Sequence, residues 1–249
     1  MSSAAGLLFE LANIDRLTIL TEIDRGPLKL SQVARKLSAT VQETSRHLER
    51  LSKAKLIEKD STSSYRITSF GKLVLSILPS LDFLQQKREF FLSHDLFSLP
   101  QGFAQRIGEL SEHQALKRLD DSLAITERII RGAEQYVWLM ADQNVRQSYP
   151  HTHQQHVSRR LLLPKESDLQ DFQHMRNESG SELQIGFVDN VKVTIVMNEK
   201  MAAVCFPGLD GRMDFTQGFA GETPKFHTWC RDLYNHYWDG STKKTWSAA

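Results

Sequence analysis

Gln42, Ser45, Arg46, His47, Arg50 and Lys53 fall on the outward side of a helix whose inward stripe is Val41, Thr44, Leu48, Leu51 and Ala54. Glutamine can make two hydrogen bonds to adenine and arginine two to guanine, while serine, histidine and further basic groups can hold phosphates. That chemistry suits a helix in the major groove of duplex DNA. The first turns of such a helix reach base edges, so Gln42 and Arg46 are the expected readers. A solvated surface helix carries the same residue types, and the flanking elements are needed to separate the two readings.

Thr40 and Glu43 form an S/T-x-x-E capping box, in which each side chain satisfies the other's end of the backbone, so the helix starts here and Glu43 is already occupied. Ahead of it, Ser31 is placed to cap a shorter helix with Val33, Ala34 and Leu37 inward and Arg35 and Lys36 toward solvent. Ser38 and Ala39 break that pattern. Earlier still, Leu7, Leu11, Ile14, Leu17, Leu20 and Ile23 keep one helical period as far as the Asp24 to Pro27 stop. Beyond the basic helix, Leu56 to Lys59 and Tyr65 to Thr68 read as a hairpin around a serine-rich tip, with Lys59 and Arg66 at its base to meet phosphates or the minor groove.

Helix, turn, helix and hairpin in that order read as a winged helix-turn-helix, which makes double-stranded DNA the expected partner. Charge agrees. The 249 residues carry 31 Lys+Arg and 30 Asp+Glu, a net of +1. Between Gly26 and Lys72, ten basic side chains stand against four acidic ones, a net of +6 that leaves −5 for the rest. A basic module on an acidic body is the footprint of a protein that docks through one end. The runs 13–20 (NIDRLTIL), 30–34 (LSQVA) and 44–51 (TSRHLERL) resemble the arsenical-repressor type of winged helix common in archaeal regulators. Lys55 departs from that pattern, because such domains usually carry glycine before the first wing strand.

Phe70, Val74, Ile77, Leu81, Leu84, Arg88 and Phe91 then recur at alternating four- and three-residue steps, a seam of about three heptads in which Pro79 lies off the seam. It serves as a dimer interface or as cover for the chain's own first helix. Two-fold pairing would bring two such basic helices to half-sites about one DNA turn apart.

Past Ser93 a short helix is expected over Phe103 to Leu110 and a clearer one over Asp121 to Arg131. Strand-like runs follow at 136–140, 158–163, 182–187, 192–197, 202–206 and 214–220, with a helix near 168–176 among them, so a sheet of about five or six strands is expected. Thr223 caps a last helix, Pro224 opens it, and Phe226, Trp229, Leu233 and Tyr237 form its aromatic stripe before Gly240. The segments 95–100 (DLFSLP) with Phe103, 106–110 (RIGEL), and Phe226 with 229–234 (WCRDLY), Tyr237 and Trp238 resemble the methanogenesis-regulatory-protein (Fil-type) domain of archaeal regulators. What the resemblance implies is a transcription factor with an effector or interaction domain.

The expected fold is thus α+β: an N-terminal winged helix-turn-helix over 1–69, a linker or dimerisation helix over 70–94, an α/β sheet domain over 95–240, and a flexible tail over 241–249. Tyr136, Trp138, Phe187 and Phe206 are the first candidates to line a pocket for an aromatic or apolar effector, with Phe215 and Phe219 of the same sheet domain beside them. His151, His153 and His156 have spacings from which a loop could present imidazoles to a metal, with His227 or Cys230 joining; they read equally as a polar linker. No G-x-S-x-G elbow, phosphate loop or dinucleotide fingerprint occurs, nor an H-x-K pair of phospholipase-D type, so no enzyme and no cofactor are expected. Two cysteines read as buried reduced thiols, and with no signal peptide and no apolar run near the roughly 20 residues of a membrane span the expected location is cytoplasmic. The working alternatives are a sensor-controlled dimeric regulator, a DNA-tethered protein-interaction platform, and a metal-responsive regulator. Metal titration at neutral pH tests the third: a shift in stability or DNA affinity is required, and no change in either removes it.

Overall fold

The structure, a computed structural model, describes residues 4–141, 157–167 and 183–246. The chain divides into two compact units, Met1–Asp82 and Phe83–Ala249. In the first, α1 (Ala4–Leu11) and α2 (Ile14–Arg25) replace the single helix expected from their shared apolar period. Asn13 breaks the run because its side chain accepts the Arg16 N–H at 3.0 Å and caps α2. Buried Arg16 then donates from Nε to the Glu10 carbonyl at 2.6 Å and from its guanidinium to that of Phe9 at 2.8 Å, satisfying the open end of α1.

β1 (Leu28–Lys29) leads directly into α3 (Leu30–Leu37), so Ser31 is not the cap as expected. The pairing of β1 pulls the helix start forward, and Gln32 Oε1 accepts the Lys29 N–H at 2.8 Å instead. Ser38 ends α3 in the left-handed region (φ 52°), and α4 (Val41–Lys53) opens on the expected box: Thr40 Oγ1 accepts the Glu43 N–H and Glu43 Oε2 accepts the Thr40 N–H, both at 3.2 Å. Such a cap is worth about 1 kcal/mol. Thr44, Leu48 and Leu51 are buried as expected, whereas Val41 is 57 % exposed. β2 (Ile57–Lys59) and β3 (Ser64–Ile67) form the hairpin, in register Ile57↔Ile67 to Lys59↔Tyr65, and β1 adds a third strand against β3. At the tip, Asp60 accepts from the Thr62 and Ser64 N–H groups and the Thr62 hydroxyl.

Where the resembled pattern has glycine, Lys55 adopts φ 62°. The helix end thus uses the left-handed region that suits glycine, with a lysine carrying backbone strain of about 1 kcal/mol.

α5 (Ser69–Gln86) carries the seam, and the boundary between the units falls within it. The seam does not keep to one side: Val74 is buried in the first unit's core, and the helix ends at Gln86 before α6 (Arg88–Ser93). Phe70, Leu73, Ile77, Leu81 and Leu84 remain 39–64 % exposed as a continuous apolar stripe.

In the second unit, α7 (Gln101–Gln105) and a 3-10 turn (Ile107–Leu110) stand where one short helix was expected, followed by β4 (Gln114–Leu116) and α8 (Leu119–Arg131). β5 (Tyr136–Met140), β6 (Ser158–Pro164) and β7 (Leu183–Val188) pair in parallel, and β8 (Thr194–Met197), β9 (Ala202–Pro207) and β10 (Met213–Gly221) continue antiparallel. α9 (Pro224–Asp239) opens as expected, with Thr223 Oγ1 accepting the Phe226 N–H. The chain then forms β11 (Thr242–Trp246) along β7, where a loose tail was expected. With β4 and β11 the described sheet has eight strands, in the order β11-β7-β6-β5-β8-β9-β10-β4. Alternation along the strands sends one side-chain set under α9 and the other under α8, giving two cores. The expected helix near 168–176 lies outside the described residues. No described helix is long and apolar enough to cross a membrane.

Two outcomes follow. Lys55→Gly should raise the stability of the first unit by roughly 0.5 kcal/mol and Lys55→Val lower it by about 1–2 kcal/mol, read from urea unfolding followed by helix circular dichroism. Glu10 is held below its ordinary value of 4.5, chiefly by its hydrogen bonds from Arg50, against the opposing effect of burial. A lowered carboxyl pKa adds stability above the ordinary value and loses it as pH falls through the lowered one, so Glu10→Gln should flatten the loss of first-unit stability below about pH 4.5.

Candidate nucleic-acid interface

The capping box sets the first turn of α4 outward, and Gln42, Ser45 and Arg46 stand there exposed. No carboxylate lies within ion-pair distance of Arg46 among the described residues. Glu43 is kept below its ordinary pKa by the Thr40 hydroxyl and backbone N–H, and stays committed to the cap.

The other basic candidates differ in how strongly the fold already holds them. Lys53 pairs with Glu49 at 2.7 Å and Arg66 with Glu58 at 2.9 Å, but all four side chains are more than half exposed. Such pairs are worth about 0–1 kcal/mol, so a phosphate can displace the carboxylate at small cost. Arg50 is different. It makes two hydrogen bonds to Glu10, at 2.9 and 2.7 Å, lies 5.1 Å from the Phe9 ring, and shares Glu10 with buried Arg16. His47, expected outward, is only 20 % exposed, and its Nε2 sits 3.7 Å from an Asp15 oxygen on α2. Each immediately precedes a leucine of the buried Leu48 and Leu51 stripe and so flanks it, and the helix rotation that buries the leucines brings both against α1 and α2. They are therefore structural contacts before they are DNA contacts.

Lys59 is exposed, with its ammonium 5.8 Å from the centre of the Tyr65 ring. It edges a shallow hollow of about 310 Å³ lined also by Lys29, Leu30, Ser31, Val41, Ser63 and Tyr65. The hollow joins the start of α3, the start of α4 and the hairpin, and brings two ammonium and three hydroxyl groups together. Lys29 and Ser31 were not among the sequence candidates, because only the pairing of β1 with β3 draws them to the hairpin.

The four aromatic effector candidates do not share a pocket. Phe206 is fully buried in the core under α9, Trp138 stacks on Tyr234 at 5.0 Å with the Arg160 guanidinium 4.9 Å away, and the Tyr136 ring packs 4.7 Å from Trp138. Phe187 belongs to the opposite core. Alternation on the strands sets Phe187 apart from the other three, whose surroundings are filled by packing. His151, His153 and His156 lie outside the described residues, and among the described residues no group of three or more histidine, cysteine or acidic side chains could hold a metal. Cys205 and Cys230 are free and buried on opposite faces; burial pushes the Cys205 thiol up to about 12 and raises that of Cys230 as well.

No protein-family model matches this chain, and no curated protein does. Among solved structures it is similar to TrmBL2, an archaeal chromatin protein described as showing a novel mode of DNA binding, at 13 % identity over 95 % of this chain and 94 % of that one, with a TM-score of 0.39. Reduced HlyU from Vibrio cholerae matches 31 % of this chain and 86 % of its own, at 26 % identity and a TM-score of 0.28. An O-methyltransferase family protein from Burkholderia thailandensis matches 75 % of this chain and 80 % of its own, at 11 % identity and 0.25. Scores this low carry no argument about this chain.

The contrast between the two arginines is measurable. Arg50→Ala should lower the stability of the first unit measurably, because Glu10 then keeps only Arg16 at 3.4 Å, whereas Arg66→Ala should stay within about 0.5 kcal/mol. Equal unfolding midpoints for the two variants would contradict the assignment.

Proposed function

We propose that the chain is a sequence-specific, DNA-binding transcriptional regulator. Its first unit acts as a winged helix-turn-helix in which α4 is the recognition helix and the β2–β3 hairpin the wing. The observation that carries this reading is the exposed first turn of α4, with Gln42, Ser45 and Arg46 uncommitted to the fold beside the basic hollow at Lys29 and Lys59. Gln42 and Arg46 read base edges; Lys53, Lys59, Arg66, Lys29 and the hydroxyls of Ser31 and Ser45 hold phosphates. Arg50 and His47 set the pose of the helix.

The regulator works as a homodimer through α5. The exposed stripe from Phe70 to Leu84 supports this, because an apolar helix face with heptad-like spacing is self-complementary about a two-fold axis. The second unit is the sensor domain, with no catalytic step, and ligand binding favours one of two dimer geometries.

Duplex selection from a random library, followed by footprinting, should return short palindromic sites with half-sites about one helical turn apart; diffuse occupancy would favour a DNA-tethered interaction platform instead. On a selected site Arg46→Ala should lose about 1–3 kcal/mol and relax base preference, while Lys53→Ala should weaken all sequences alike and lower the salt slope by about one. Equal loss on every sequence for both variants would contradict the division of roles. Ile77→Asp should convert the dimer to a monomer in light scattering; an unchanged mass would remove α5 as the interface.

A further inference from the structure

The sensor domain contains an open cavity on the face away from the aromatic core. It has a volume of about 250 Å³ and lies between α8 and strands β8 to β10. Leu139, Val196 and Ala203 contribute apolar wall from the sheet, and the half-exposed Leu119 and Leu123 of α8 mark its mouth with Phe215. No charged or histidine side chain lines it.

Thr126 of α8 adds one hydroxyl to the lining, and three further polar groups meet in this wall. Thr194 and Cys205 face each other directly in the β8·β9 ladder, and the Ser122 hydroxyl of α8 lies against the Cys205 thiol. The Thr194 and Ser122 side chains border the cavity, but their hydroxyl oxygens are themselves closed to water, so a ligand head meets them only when the side chains turn toward it. Among the described residues the Thr194 hydroxyl has no hydrogen-bond partner, and that of Ser122 has nothing stronger than the thiol. Buried hydroxyls are otherwise almost always paired, since an unmade bond there forfeits solvation without return. A packing flaw is a poor account of the site, because β10 is shaped around it. Its register shifts between Met213 and Gly218, which lets Phe215 reach the rim. Gly218, opposite Cys205 in the β9·β10 ladder, leaves room for the thiol: a Cβ there would stand 2.8 Å from Sγ and 2.6 Å from the Val204 carbonyl.

We infer that this cavity binds an uncharged, largely apolar small molecule with one hydrogen-bonding head, received by the Ser122 and Thr194 hydroxyls; calling that molecule the effector rests on the regulator reading above. The volume admits roughly ten non-hydrogen atoms, scaled from the benzene that fills an apolar cavity of about 150 Å³. A carboxylate or ammonium head is excluded by chemistry, since nothing in the lining would offset its desolvation.

All four tryptophans lie in the second unit, so unfolding of the full chain followed by tryptophan fluorescence reports on that unit. Nonan-2-one, with a carbonyl head and an apolar chain, is the probe, and nonanoate at neutral pH the charged control. Nonan-2-one should raise the unfolding midpoint saturably and nonanoate should not. Thr194→Val should weaken nonan-2-one about tenfold, the value of one hydrogen bond. Ala203→Leu, which fills the cavity, should abolish the shift; Leu123→Trp, at the exposed mouth, does the same work if the core variant fails to fold. The inference is overturned by no shift with nonan-2-one, by an equal shift with nonanoate, or by an undiminished shift in Leu123→Trp. DNA affinity on a selected duplex is measured separately. Ligand binding without any DNA binding sinks the regulator reading and leaves the site standing, while DNA binding without ligand binding sinks the site alone.

Discussion

One carboxylate determines which face of α4 is available. Glu10 receives two hydrogen bonds from Arg50 and the charge of buried Arg16, and Arg16 in turn closes the end of α1 through the Phe9 and Glu10 carbonyls. The corner between α1 and α2 and the middle of α4 are thereby tied at a single point, where removing Arg50 leaves the Glu10 charge to Arg16 alone. With Leu48 and Leu51 buried and Arg50 and His47 held against α1 and α2, α4 has little rotational freedom. The residues on its far side, Gln42, Ser45 and Arg46, are left to solvent or to a partner. Exposed pairs such as Lys53–Glu49 impose no comparable constraint.

The second unit divides its labour by strand alternation. On the α9 side, Trp138 and Phe206 of the sheet meet Tyr234 and Trp229 of the helix, large rings that close on one another. Residues facing α8 are mainly aliphatic or small, among them Val196, Ala203 and Cys205, and there the packing stays open. A pocket in a sheet domain needs small side chains and a displaced strand more than it needs aromatics, and the register shift in β10 supplies the second.

Much of this was legible in the sequence, and the losses have identifiable causes. The Thr40/Glu43 box, the buried Thr44–Leu48–Leu51 stripe, the hairpin and the Thr223–Pro224 start of α9 are local signals, set by residues no more than ten apart. The break between α1 and α2 was hidden because the apolar period runs straight through Asn13, and only its cap interrupts the backbone. Arg50 and Lys53 look alike in sequence; the difference is Glu10, forty residues from Arg50. β4 and β11 are short, polar or terminal, and acquire strand character from their neighbours β10 and β7. The aromatic residues suggested a pocket by type alone, whereas the cavity depends on which alternate residues are small, a property of the register and not of any one strand.

The central claim, that the first turn of α4 enters the major groove, is tested most directly by site-specific cross-linking from residue 42. With a photoreactive benzophenone amino acid replacing Gln42, irradiation on a selected duplex should label bases at one fixed position in each half-site, while the same group replacing Lys87 in the second unit should label none. Diffuse labelling from residue 42, or labelling confined to the sugar-phosphate backbone, would contradict the account.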